Sequence, residues 1–69
     1  MATKKDIGRD ATFLGSSLYR PLTGVLVSVK NGFGTIMYRT ATTLDGQIQY
    51  APMGTEWIAI VPVKKINVW

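Results

Sequence analysis

Sixty-nine residues with eight Lys or Arg against four Asp or Glu make one small basic domain of net charge +4. A chain of this size buries only about 60% of the surface it exposes when unfolded. With no cysteine and no histidine, disulfides, the usual zinc sites and Ser-His-Asp or Cys-His catalysis are excluded.

The first ten residues are polar and without a period, with Lys4, Lys5, Asp6, Arg9 and Asp10 around a lone Ile7. They read as a flexible N-terminal arm, 1–10, ahead of a small β-barrel domain, 11–69. Residues 11–14 suit a short strand with Phe13 as its inward anchor, and Gly15-Ser16-Ser17 breaks it. Pro21 disfavours helix at Arg20 and lacks a backbone donor, which displays Tyr19 and Arg20 in a loop.

The chain is organised around Asn31-Gly32, a type I′ turn dipeptide between two runs rich in β-branched and aromatic residues. A two-residue loop pairs Lys30 with Phe33, Val29 with Gly34, Ser28 with Thr35, Val27 with Ile36, Leu26 with Met37 and Val25 with Tyr38. The pleat then predicts a core face of Val25, Val27, Val29, Ile36 and Tyr38 over Gly34. Leu26, Ser28, Lys30, Phe33, Thr35, Met37 and Arg39 fall on the opposite face.

Asp45-Gly46 repeats the turn chemistry and predicts a second hairpin, with Leu44 facing Gln47, Thr43 facing Ile48, Thr42 facing Gln49 and Ala41 facing Tyr50. Residues 57–61 are nearly all apolar. Such a run is a strand covered on both sides or one whose outer face meets a partner, and with no evident helix to cover it the second reading points to oligomerisation. The count is five to six short antiparallel strands and an all-β barrel or sandwich.

From Leu22 to Val68 the order of strand, Asn-Gly turn, strand, hairpin, apolar strand and then Val61-Pro62-Val63-Lys64-Lys65-Ile66-Asn67-Val68 resembles the SH3-like small barrels, in which a Pro-containing 3₁₀ turn joins the last two strands. A truncated OB-like barrel satisfies much of the same pattern. The resemblance implies an SH3-like fold and use as a protein-docking module or a nucleic-acid binder, since fold alone does not fix function. The composition also resembles the short proteins of phages and plasmids. Gln47-Ile48-Gln49-Tyr50 is similar to the Val-Gln-Ile-Tyr pore lining of plasmid-type trimethoprim-resistant dihydrofolate reductases. It departs from that motif by an extra glutamine and by its place beside a hairpin turn.

The only carboxylates are Asp6, Asp10, Asp45 and Glu56, three of them in the arm or a turn where local backbone bonding is their ordinary role. The glycines open no phosphate-binding helix. The expectation is therefore a non-enzymatic binding or assembly module without cofactor or metal. Its partner is itself or another protein, met through Lys30, Phe33, Met37 and Arg39 bordered by Tyr19 and Trp69. Aromatics, Met and Arg favour protein interfaces, and the 17% of charged residues, against roughly 25% in soluble domains, leaves apolar side chains outside. The alternative is a nucleic-acid-binding surface of Lys4, Lys5, Arg20, Lys30, Arg39, Lys64 and Lys65. No apolar stretch approaches the ~20 residues that span a bilayer, and no signal peptide is evident. The expected location is the cytoplasm, or the virion or host cytoplasm for a phage protein.

Overall fold

Short runs of β-branched and aromatic residues, cut by glycine and proline, become seven strands in the computed structural model, which describes residues 2–69. They are β1 (Asp10–Phe13), β2 (Leu22–Lys30), β3 (Phe33–Tyr38), β4 (Thr40–Thr42), β5 (Ile48–Tyr50), β6 (Trp57–Pro62) and β7 (Ile66–Val68). Two single 3₁₀ turns, Lys4–Asp6 and Val63–Lys65, complete the regular structure, and no α-helix forms among the described residues. Strands β6-β3-β2-β1-β7 make one antiparallel sheet in that order, and β4-β5 makes a separate two-stranded ribbon. The expected five or six strands are thus seven, and the second hairpin forms its own ribbon rather than joining the main sheet.

Asn31 and Gly32 both take positive φ, 53° and 79°, as a type I′ loop requires. Lys30 pairs with Phe33, Val29 with Gly34 and Ser28 with Thr35. Beyond Ser28 the expected register fails. A bulge at Val27 shifts the pairing by one, so that Leu26 meets Ile36 and Val25 meets Met37. An extra residue in one strand turns every side chain beyond it to the other face. Leu26 is therefore fully buried, and Val25 and Val27, assigned to the core by simple alternation, are exposed. Backbone bonds support the shifted register, since Leu26 N–H donates to the Arg9 carbonyl at 3.0 Å and the Leu26 carbonyl accepts from Gly8 N–H at 2.7 Å.

The core comprises Ala2, Ala11, Phe13, Leu22, Leu26, Ile36, Ala41 and Ile66. It is closed by coiling of the sheet. Ile66 of β7 reaches Gly34 of β3, three strands away in the pairing order, so closely that a Cβ on Gly34 would stand 2.5 Å from Ile66 Cδ1. The Val63–Lys65 turn that joins β6 to β7 begins with Val63 N–H donating to the Gly32 carbonyl at 3.0 Å, which ties this link to the first hairpin's tip. Within the segment read as an arm, Met1 lies outside the described residues. Ala2 is buried and donates its N–H to the Val63 carbonyl at 3.2 Å. Asp6 accepts from Thr3 N–H at 2.9 Å, which closes the first 3₁₀ turn.

The second hairpin also differs from the two-residue loop expected of it. Thr43 N–H donates to the Gln47 carbonyl at 2.8 Å and Gly46 N–H to the Thr43 carbonyl at 3.0 Å, so the loop holds three residues, Leu44, Asp45 and Gly46. Gly46 sits at φ 95°, the left-handed position that ends a three-residue loop. The pairing moves by one in consequence, Thr42 with Ile48, Ala41 with Gln49 and Thr40 with Tyr50.

Candidate functional site

Pairing partners in an antiparallel sheet place their side chains on the same face, so the register assembles the outer face directly. Val25, Met37 and Ile58 form one row across β2, β3 and β6; Ser28, Thr35 and Ile60 form the next; Lys30, Phe33 and Pro62 form the third. Ile58 is 63% exposed, Ile60 70% and Phe33 49%, and Val27 at the bulge is exposed as well. An apolar patch flanked by Lys30 is the kind of surface that marks an interaction site. The sequence pointed to Phe33 and Met37 on this face, whereas Val25, Ile58 and Ile60 became part of it only through the bulge and the β3–β6 register.

The remaining residues of the expected protein-docking set lie elsewhere. Trp69 is anchored by its indole N–H donating to Thr12 Oγ1 at 2.6 Å, two strands from β3. Arg39 lies exposed between β3 and β4, its carbonyl accepting from Ala51 N–H at 2.8 Å. Tyr19 is not beside them: it bridges to Thr43 and donates its hydroxyl to Gln49 Oε1 at 3.2 Å.

Tyr19 instead lines a cleft of about 420 Å³ with Phe13, Tyr38, Trp57, Gln49 and Ser16 among its walls. The Phe13 and Tyr38 rings meet edge to face at 5.6 Å, and Tyr38 and Trp57 at 5.6 Å and 53°. These contacts are favourable aromatic geometries of about 0.5–1.5 kcal/mol each beyond area burial. This cleft was not foreseen, because its walls come from five separated stretches and no local spacing joins them.

The basic residues divide into two groups. The turn carrying Lys64 and Lys65 is bonded through Val63 to the tip that follows Lys30 and to Ala2, just ahead of Lys4 and Lys5. Five lysines therefore belong to three adjoining turns at one end. Arg20 lies with the second hairpin, its Nη2 donating to the Leu44 carbonyl at 3.4 Å, and Arg39 follows the far end of β3. Among the described residues the one ion pair is Arg9 with Asp6, at 3.3 Å. Asp6 is held below the ordinary aspartate value of 3.8, first by the Thr3 backbone N–H; Asp45 is held below it first by the Thr43 hydroxyl and next by the Gln47 N–H.

No cluster of His, Cys, Asp or Glu that could hold a metal occurs among the described residues, and no helix there is long and apolar enough to cross a membrane. No family model matches the chain, and no match arises among curated proteins or solved structures.

Proposed function

We propose that this chain is a non-enzymatic docking module of the SH3-like type that binds protein through the outer face of β2, β3 and β6. The fold part of this reading is supported by the single 3₁₀ turn, Val63–Lys65, between the last two strands, and by the contact of Ile66 with Gly34 across the coiled sheet. The docking part rests on one observation: Val25, Phe33, Ile58 and Ile60 are all exposed on one face. Covering a large apolar side chain yields roughly 1.5–3 kcal/mol, so a partner that covers several of them gains a useful association energy even after ordering costs.

Phe33→Ala with Met37→Ala is the test. The double variant is expected to weaken association at least tenfold while its melting temperature stays close to that of the parent, because neither residue belongs to the core cluster. Normal association by this variant would exclude the face.

The gathering of Lys4, Lys5, Lys30, Lys64 and Lys65 at one end favours a second reading, contact with nucleic acid. Titration with a DNA or RNA oligonucleotide at several salt concentrations separates the two. Phosphate contacts make log affinity fall linearly with log salt, and apolar docking is nearly indifferent to it.

A further inference from the structure

The edge of the main sheet beside that apolar face is open. Strand β6 pairs with β3 on one side, and no other strand of the described residues pairs with it on the other. Which of its backbone groups are free follows from the ladder. Leu26 directs its N–H and carbonyl toward Gly8 and Arg9, so its partner Ile36 must direct its own groups away from β2, toward β6. Antiparallel pairs alternate between bonded and non-bonded. Gly34 with Val61, Ile36 with Ala59 and Tyr38 with Trp57 are then the bonded pairs of β3 and β6, and Ile58 and Ile60 turn their N–H and carbonyl groups outward. Pro62, which has no N–H, falls at an outward position and leaves the β3 ladder undisturbed.

Natural sheets guard such an edge with a charge, an internal proline, a bulge or a covering segment. Between Trp57 and Pro62 there is no charged residue and no internal proline, and the register with β3 runs without a bulge. Resting on the docking role proposed above, we propose that the partner is a second copy of this chain, joined by antiparallel pairing of β6 with β6 about a two-fold axis at Ala59.

In that register the outward N–H and carbonyl groups of Ile58 and Ile60 are satisfied in both copies. Ile58 of each copy faces Ile60 of the other and exchanges both bonds, and Glu56 N–H meets the Pro62 carbonyl at either end. The four isoleucine side chains form a continuous band on the outer face, in line with Phe33 and Met37. Glu56 of each copy comes beside Pro62 of the other, two residues in sequence from Lys64.

Area agrees with a dimer. The chain exposes 4868 Å², whereas the scaling of surface with mass for folded monomers gives roughly 4,300 Å² at this mass. That excess, roughly 600 Å² spread over the whole surface, is comparable in size to the ~800 Å² per partner that a stable interface covers.

The experiment is sedimentation velocity of the full chain over a hundredfold range of concentration, with amide exchange measured at both extremes. Doubling of the 7.6 kDa mass with protection appearing at the Ile58 and Ile60 amides, and unchanged protection at Phe33, is the expected result. Ile60→Pro removes an outward N–H without touching the bonds to β3 and is expected to weaken dimerisation at least tenfold. Ile58→Lys, which sets a charge against Ile60 of the other copy and diagonally across from its own like, is expected to do the same. Should the proline variant not fold, the exchange pattern of the unaltered chain decides. A single-chain mass at every concentration overturns the self-pairing, as does a dimer whose Ile58 and Ile60 amides stay unprotected. If Phe33→Ala with Met37→Ala abolishes association and both β6 variants retain it, the edge geometry is wrong and the docking face stands. If the double variant keeps association and the Ile58 and Ile60 amides are protected in its dimer, the edge geometry stands without Phe33 and Met37.

Discussion

Two hairpins in this chain carry the same kind of dipeptide at their turns, a small polar residue followed by glycine, yet they turn and are held in different ways. The β2–β3 hairpin is flanked by β1 and β6 and turns Leu26 and Ile36 into the core, both fully buried. The β4–β5 ribbon has no strand neighbour in the main sheet, and all three residues of β5 are exposed. Apart from Ala41, which reaches the core, it is held by polar bonds: within the loop the Thr43 hydroxyl bonds Asp45 and Gln47 N–H donates to Thr43 Oγ1 at 3.0 Å, and from the preceding segment Arg20 N–H donates to the Thr42 carbonyl at 2.9 Å. A small domain can stabilise a hairpin by burial or by side-chain caps at its loop, and the first route ties it to the global fold while the second leaves it free to open alone.

Truncating an isoleucine in each hairpin separates their behaviour most. Ile36 is 0% exposed and Ile48 54%. Ile36→Ala is expected to cost about 2–5 kcal/mol through lost transfer energy and the cavity left behind. Much of the stability of so small a domain would go with it, because native domains hold only about 0.05–0.15 kcal/mol per residue. Ile48→Ala is expected to cost no more than about 0.5 kcal/mol, as exposed substitutions do. Urea melts of the two variants, compared at equal slope, check both; similar losses would show that the ribbon is part of the cooperative unit.

The two turns supply the next test. Gly32 and Gly46 both hold positive φ, 79° and 95°, and alanine at either position is expected to cost about 1 kcal/mol. The difference lies in where that cost appears. Gly32→Ala should lower the global unfolding midpoint, whereas Gly46→Ala should leave it nearly unchanged and speed exchange of the Thr43 and Gln47 amides about fivefold. Equal midpoint shifts would mean that the ribbon does not open on its own.

These contrasts also explain which parts of the structure were legible in the sequence. The Asn31-Gly32 turn was, because positive φ at both positions is a local demand that few residue pairs meet. So was the one-turn link after Pro62, through the likeness of residues 61–68 to the close of SH3-like barrels. The bulge at Val27 was not. Val25-Leu26-Val27 is apolar throughout, so alternation carries no information there, and the register is decided by Arg9 and Gly8 bonding Leu26 from β1's side. Nor was the three-residue second loop, which depends on the Thr43 side chain reaching two residues on. The outer face was legible at Phe33 and Met37, which lie beyond the bulge or on the unbulged strand. Its Val25, Ile58 and Ile60 members needed the pairing of β2 and β6 with β3. The aromatic cleft needed the whole fold, since Tyr19 and Gln49 meet across 30 residues of sequence.

Acid gives the smallest and most local contrast. Asp45 is held below its ordinary value of 3.8 by hydrogen bonds from the Thr43 hydroxyl and then the Gln47 N–H, bonds that favour its charged form. A carboxylate with a lowered folded value adds stability that is present above the unfolded value and is lost as pH falls through the folded one. The β4–β5 loop should therefore loosen as pH drops below 3.8, while the Asn31-Gly32 turn, which contains no titrating group, should not. Amide chemical shifts of Thr43 and Gln47 followed from pH 6 to pH 2 check this, with those of Lys30 and Phe33 as the internal reference. Asp45→Asn is expected to flatten the change at Thr43 and Gln47. Asp6, whose value is lowered chiefly by Thr3 N–H, titrates in the same window but bonds only within the first 3₁₀ turn and to Arg9. Its protonation should move the Thr3 amide and leave the second hairpin unaltered, so a change at Gln47 that survives Asp45→Asn would show the ribbon to be coupled to the rest of the sheet after all.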